Sequence, residues 1–192
     1  MKKLLLITGD LATGKSRFAG ILSVRYDAVV MYKDKIKEVL GDTIGFKDRE
    51  ENLRLSAATM ELMTYGFSEL AMLGKDVILE ANFKEREMAK LQEIAGNAGY
   101  EVLTLVLRAD MEIIYGRFVN RIENENRHPV HISGFEGYDS LGYYIEKGRK
   151  EKTFGNILNI NANNFSYQTD EKNLSQIDKF MGSQQQPKSN TF

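Results

Sequence analysis

Residues 2–16, KKLLLITGDLATGKS, join a short apolar run to a glycine-bounded loop, and their reading decides the fold. The run has the length of a buried strand, and RFAGIL directly after Ser16 begins a helical period, so the loop is a strand-to-helix turn. It fits G-x-x-x-x-G-K-[ST], with Gly9, Gly14, Lys15 and Ser16 in the defined places. Across such a loop, Gly9, Asp10, Leu11, Ala12, Thr13, Gly14, Lys15, Ser16 and Arg17 wrap backbone N–H groups around a β-phosphate. The positive end of the following helix points at the same anion. Lys15 then reaches the β- and γ-phosphates, and the Ser16 hydroxyl offers Mg²⁺ one oxygen. A merely tight turn explains the glycines but not Lys15 and Ser16 together. The loop therefore predicts a bound nucleoside triphosphate, ATP with Mg²⁺. Ala12 disfavours positive φ, so a slightly altered local geometry is expected there.

The chain around this loop has 192 residues, 42% of them hydrophobic, enough for one domain with a substantial core. Its formal charge of −1 supplies no global basic field, which argues against a nucleic-acid partner while leaving a local basic groove open. Without cysteine there are no disulfides, thiolate nucleophiles or Cys-based zinc sites, so oxygen and nitrogen groups must do the chemistry. The opening MKKLLLITGD breaks its apolar stretch at Gly9–Asp10, too early for a signal peptide, and no later run could span a bilayer. A soluble cytoplasmic protein with no membrane partner is expected.

Short β-rich runs alternate with longer helical segments, the pattern of parallel strands joined by helical crossovers. Strands are predicted at about 3–8, 28–32, 76–80, 101–107 and 156–161, each apolar enough to be buried on both faces. In NLRLSAATMELMTYGFSELAML, residues Leu53, Ala57, Met60, Thr64, Phe67 and Ala71 form one helical stripe, stopped by Gly74. Asp110 is placed to cap MEIIYGRFVNRI, whose predicted buried face is Met111, Ile114, Tyr115, Phe118 and Ile122. Arg117 and Arg121, four residues apart, share another face. From Glu123 to Gly142 the apolar period fails and a polar, glycine-rich lid is expected. A single domain over 1–181, with its lid at about 117–142, would then be followed by a disordered tail at 182–192.

No N-K-x-D guanine signature is present, which removes most of the case for a GTPase switch, and the chain is short for a motor ATPase. The segments LLLITGDLATGKSRFAGIL, VVMYKDKIKEVL, GKDVILEANF and GRFVNRIENENRHPVH together resemble, in this order, the compact P-loop kinases grouped as AAA-type predicted kinases. These are relatives of polynucleotide 5′-kinase, chloramphenicol phosphotransferase and zeta toxins. The resemblance implies an α/β P-loop NTPase fold: three α/β/α layers around a five-stranded parallel sheet of order 2-3-1-4-5.

The resemblance further implies roles. Asp34, read as the end of the second strand, would orient or deprotonate the acceptor hydroxyl, although it could also cap KIKEVL. Glu80 closes DVILE as a metal-holding acid with Ser16, or as a polar strand end. Asn82 and Arg86 could touch substrate, and for Arg86 a solvated helix face is the simpler reading. Arg117, Arg121 and Arg127 are lid candidates that would neutralise the transferring phosphoryl group or, alternatively, form a solvated basic face. His128 and His131 read as polar lid residues, since no third ligand stands near them for a metal. NINANN would border the adenine or form an ordinary turn. Phe46, Lys47, Arg49 and Arg54 should line one side of the acceptor pocket. The expected activity is transfer of the ATP γ-phosphoryl group to a hydroxyl of a small-molecule or nucleotide-like acceptor. The alternatives are a polynucleotide 5′-hydroxyl kinase and a non-catalytic ATP-gated binding module.

Overall fold

The computed structural model describes residues 1–124, 127–131, 135 and 137–182. The opening apolar run forms β1 (Lys2–Gly9), and the glycine loop leads into α1 (Lys15–Tyr26). There follow β2 (Val29–Tyr32), α2 (Lys33–Ile44), α3 (Arg49–Met72), β3 (Val77–Glu80) and α4 (Glu85–Ala98). The chain continues as β4 (Tyr100–Arg108), α5 (Met111–Asn124), α6 (Tyr138–Arg149), β5 (Asn156–Asn161) and α7 (Glu171–Met181). The five strands are parallel in the order β2-β3-β1-β4-β5, as expected. Ile7 is level with Glu80, Glu80 with Tyr32, Gly9 with Leu107, and Arg108 with Asn161. All carboxyl ends therefore meet along one edge, and β1 lies where the order changes direction, the place at which such sheets open a crevice.

β1 divides its side chains between two cores because successive residues point to opposite faces. Leu5 and Ile7 join Phe18, Leu22, Ile114, Phe118, Leu141 and Ile177 from α1, α5, α6 and α7. Leu4 and Leu6 join Met60, Met63, Phe67, Met88 and Leu91 from α3 and α4. At roughly 1.5–3 kcal/mol for each fully buried large apolar side chain, these two layers fix β1, and with it the loop at its end.

Several local expectations need correction. The edge strands are less buried than expected: in β2 Val29 is exposed and the other residues are half-buried, and β5 is mostly exposed, with Ile160 buried. In α3 the buried stripe runs through Leu55, Thr59, Met60, Met63, Phe67 and Ala71, whereas Leu53 is 59% exposed and Ala57 is also exposed. Both of those residues line a cleft, while Leu55 and Met60 of the same half of the helix are buried. Ile122 likewise lies beyond the packed part of α5, 55% exposed. Asp34 does not end a strand: β2 stops at Tyr32, and Asp34 stands in the first turn of α2, whose N-cap is Tyr32.

The segment 117–142, expected as a lid with a loop from Glu123 to Gly142, is helical at both ends. Residues up to Asn124 continue α5, and α6 begins at Tyr138 because Leu141 and Ile145 anchor it in the core. Between these helices lies the 3₁₀ turn Pro129–His131; residues 125–126, 132–134 and 136 lie outside the described residues. So does the predicted tail beyond Gly182, which caps α7 with φ 73°.

Candidate active site

The loop between β1 and α1 is held by backbone geometry that only certain residues permit. Gly9 has φ 122°, and a Cβ placed there would lie 2.0 Å from the Leu107 carbonyl oxygen of β4. Gly14 has φ 85° and would push a Cβ against the Phe165 ring at 2.9 Å. Ala12 takes the left-handed conformation itself, φ 56°, at a cost of roughly 1 kcal/mol, so the loop keeps its shape despite the side chain. The Tyr167 hydroxyl donates to the Thr13 carbonyl at 2.8 Å and ties the loop to the segment after β5.

Inside this loop Lys15 is buried, its Nζ donating to the carbonyls of Asp10 at 2.6 Å and Gly9 at 3.3 Å. Burial lowers its pKa, opposed by the carboxylates of Glu80, Asp34 and Asp10. The Ser16 hydroxyl donates to Glu80 Oε2 at 2.9 Å, so the two predicted metal-holding residues meet although 64 positions apart. Glu80 is 4% exposed, and burial raises its pKa ahead of the opposing pull of Lys15.

Asp10 has a role that the motif did not show. Its carbonyl serves Lys15, but its carboxylate faces away from the loop and accepts from Arg149 Nε at 3.1 Å and Nη2 at 2.8 Å. The Ala109 N–H completes the set at 3.1 Å, and Arg149 Nη2 also donates to the Ala109 carbonyl at 2.7 Å. A forked arginine thus clamps the loop, the end of β4 and α6 together. In the sequence Arg149 sits in the charged run KGRKEK, and nothing local marks it as partner of a residue 139 positions away.

Beyond the loop opens a cleft of about 1580 Å³. It brings together Lys15, Ser16, Asp34, Glu80, Arg117, Arg121 and Arg127, together with Asn82 and Arg86. The Asp34 carboxylate is 57% exposed, with Lys33 Nζ at 3.8 Å, and its charge is felt by Lys15, Glu80, His131 and Tyr144. It therefore stands between the phosphate loop and the 3₁₀ turn. Arg121 acts electrostatically on Lys15, and Arg127 on His131. Arg117 is committed to the loop's border: its guanidinium lies 4.2 Å from the centre of the Phe165 ring and donates to the Ala162 and Asn163 carbonyls, each at 2.8 Å. Phe46 and Arg49 line the cleft; Lys47 and Arg54 do not, and Arg54 instead pairs with Glu50 at 2.6 Å. Asn82 Oδ1 is buried without a hydrogen-bond partner among the described residues.

The asparagines after β5 act as struts. Asn163 accepts from the Asp110 N–H and donates to the Asp110 carboxylate, while Asn164 caps the 3₁₀ turn Phe165–Gln168. His131 Nε2 lies 2.9 Å from Glu38 Oε1, and His128 Nε2 lies 2.9 Å from Asp42 Oδ1, so both imidazoles fasten the 3₁₀ turn to α2. No cluster of three or more His, Cys, Asp or Glu that could hold a metal occurs among the described residues. An all-oxygen pair such as Ser16 and Glu80 fits Mg²⁺, which takes one or two protein oxygens and completes its shell with phosphates and water.

Fold and loop together define a P-loop kinase fold. A family model described as an AAA domain matches residues 4–136, and the chain belongs to that family. Among solved structures, a protein of Chloroflexus aurantiacus J-10-fl assigned as a kinase superposes with TM-score 0.81 at 23% identity, covering 94% of this chain and 98% of its own. A sugar kinase of Janibacter sp. HTCC2649 gives 0.63 at 14% identity, with 97% and 100% covered. Mycobacterium tuberculosis APS kinase, in complex with AMPPNP and APS, gives 0.57 at 15% identity, with 93% and 97% covered. At these identities the likeness is one of fold. No curated protein sequence matches the chain. Among the described residues no helix is long and apolar enough to cross a membrane.

Proposed function

We propose that this chain is an ATP- and Mg²⁺-dependent phosphotransferase that moves the γ-phosphoryl group of ATP to a hydroxyl of a small-molecule or nucleotide-like acceptor. The observation that carries this reading is the convergence, in one cleft, of a complete phosphate loop, the Ser16–Glu80 pair and the Asp34 carboxylate. Kinases of this fold among its neighbours support it.

The loop N–H groups and Lys15 would cradle the β- and γ-phosphates. Ser16 and Glu80 would hold Mg²⁺, which when bound neutralises charge on those phosphates. Asp34 accepts the proton of the acceptor hydroxyl as its oxygen bonds to the γ-phosphorus; the bond to the β–γ bridging oxygen breaks, and ADP leaves with that electron pair. Arg121 and Arg127 face the charge spread over the equatorial oxygens, and Arg117 fixes the border on which the nucleotide lies.

The test compares the full chain with Asp34→Asn in Mg-ATP and a pooled metabolite extract, read by mass spectrometry. A phosphorylated product formed by the parent chain and reduced about hundredfold in Asp34→Asn is expected. Undiminished transfer would remove Asp34 from its role. ATP binding with no product in any pool would replace the kinase reading with a nucleotide-gated module.

A further inference from the structure

We infer that the acceptor is a small alcohol carrying an anionic group of its own, and that Arg49 and Arg86 hold that group; this rests on the kinase reading above. Among the described residues, Lys and Arg side chains outnumber carboxylates along the cleft, in a chain that carries 26 basic and 27 acidic residues in all.

Two of these cations stand apart from the phosphate loop. Arg49 opens α3 and Arg86 lies in the first turn of α4, two elements that contribute nothing to the phosphate loop. The acids beside them are already engaged: Glu50 by Arg54 at 2.6 Å, Glu85 by Lys152 at 2.8 Å, and Glu61, which feels the charge of Arg86, by Lys90 at 2.5 Å. Glu87 accepts from the Lys84 N–H at 2.8 Å, Glu51 from the Lys47 N–H at 2.7 Å, and Asp48 caps α3. Among the described residues neither Arg49 nor Arg86 has an ion pair. Each also stands at the positive end of a helix, where a cation is disfavoured unless an anion joins it. A guanidinium is suited to phosphate, sulfate and carboxylate alike through its paired N–H groups.

The acceptor is small because one wall of the cleft is closed. Val130 is buried over Gly41, where a Cβ would come within 2.3 Å of Val130 Cγ1. Lys37 Nζ at 3.0 Å and Asn52 Nδ2 at 3.2 Å donate to the Val130 carbonyl, and His131 meets Glu38. The 3₁₀ turn is thereby docked on α2 and closes the cleft between them among the described residues.

The experiment supplies the full chain with Mg²⁺ and γ-labelled ATP. A metabolite extract, split by anion exchange into flow-through and salt-eluted fractions, and a 5′-hydroxyl oligonucleotide are offered separately. Label should pass to a compound of the salt-eluted fraction alone. Arg49→Gln and Arg86→Gln should each raise the KM for that purified compound about tenfold, with ATP affinity and thermal midpoint unchanged. Phosphatase treatment of the fraction distinguishes the sources: lost transfer identifies a phosphate monoester, retained transfer a carboxylate or sulfate. Transfer to a flow-through compound, transfer to the oligonucleotide alone, or an unchanged KM in both variants overturns the inference while leaving the kinase reading intact. No transfer to any fraction overturns both.

Discussion

The two halves of the cleft are built on different principles. On the phosphate side, backbone does the work: Gly9 sits against β4, Thr13 is held through its carbonyl, and the side chain of Lys15 is folded onto the carbonyls of Asp10 and Gly9. On the proposed acceptor side, side chains would carry the recognition: Arg49, Arg86 and Asp34 line the cleft from the first turns of three helices. The contrast follows from the ligands. A polyphosphate is the same for every kinase of this fold and can be met by a fixed ring of N–H groups, whereas the acceptor differs and must be met by groups that a single substitution can change.

If the phosphate half is held rigidly, its clamp should be expensive to break. Arg149→Ala leaves the Asp10 carboxylate, 3% exposed, with only the Ala109 N–H, and should lower the unfolding free energy by about 3 kcal/mol in urea titration. A loss below about 1 kcal/mol would mean that the pair behaves as a surface contact.

Glu80 separates stability from activity within the same half. Burial holds its carboxyl above the ordinary carboxylate value, so the folded chain binds that proton more readily than the unfolded one. The contribution of this group is intact below the ordinary value and is lost as pH rises through the raised one. Glu80→Gln should accordingly raise the thermal midpoint of the nucleotide-free chain at pH 8 but not at pH 4, while phosphoryl transfer falls about hundredfold. A midpoint change that is equal at both pH values would show that ionisation of Glu80 is not what the fold resists.

The smallest effect is expected on the acceptor side. Gly41→Ala places a methyl group against Val130 and should lift the 3₁₀ turn from α2. The acceptor KM is then expected to rise about fivefold, with ATP affinity unchanged and stability altered by about 1 kcal/mol. Equal changes in both affinities would erase the distinction between the halves.

Much of this architecture was legible before any coordinates. The strand-to-helix transition, the loop and the five strands are written in local patterns, because a buried strand needs consecutive apolar residues and a phosphate loop needs glycine at fixed spacing. Local periodicity failed where environment decides. Leu53 and Ala57 continue a helical stripe in the sequence, yet they line the cleft, and the packed face of that half of α3 runs through Leu55 and Thr59 instead. Polar, glycine-rich text from 137 onward reads as loop, yet Leu141 and Ile145 fold it into α6 by finding a core to enter. Asp34 follows the strand AVVMY in the sequence as its expected end and stands instead in the first turn of α2, because β2 stops where its pairing with β3 stops, at Tyr32 and Glu80.

By itself, then, the sequence determined the phosphate loop and the class of sheet, since both depend on residues adjacent in the chain. Only the tertiary structure decided that Ser16 meets Glu80, that Asp10 is clamped by Arg149, and that Arg49 and Arg86 share one cleft, neither with an ion pair among the described residues. Those relations span up to 139 positions, and charge complementarity at such separations has no period to read; it is set by which strand ends the sheet brings to the same edge.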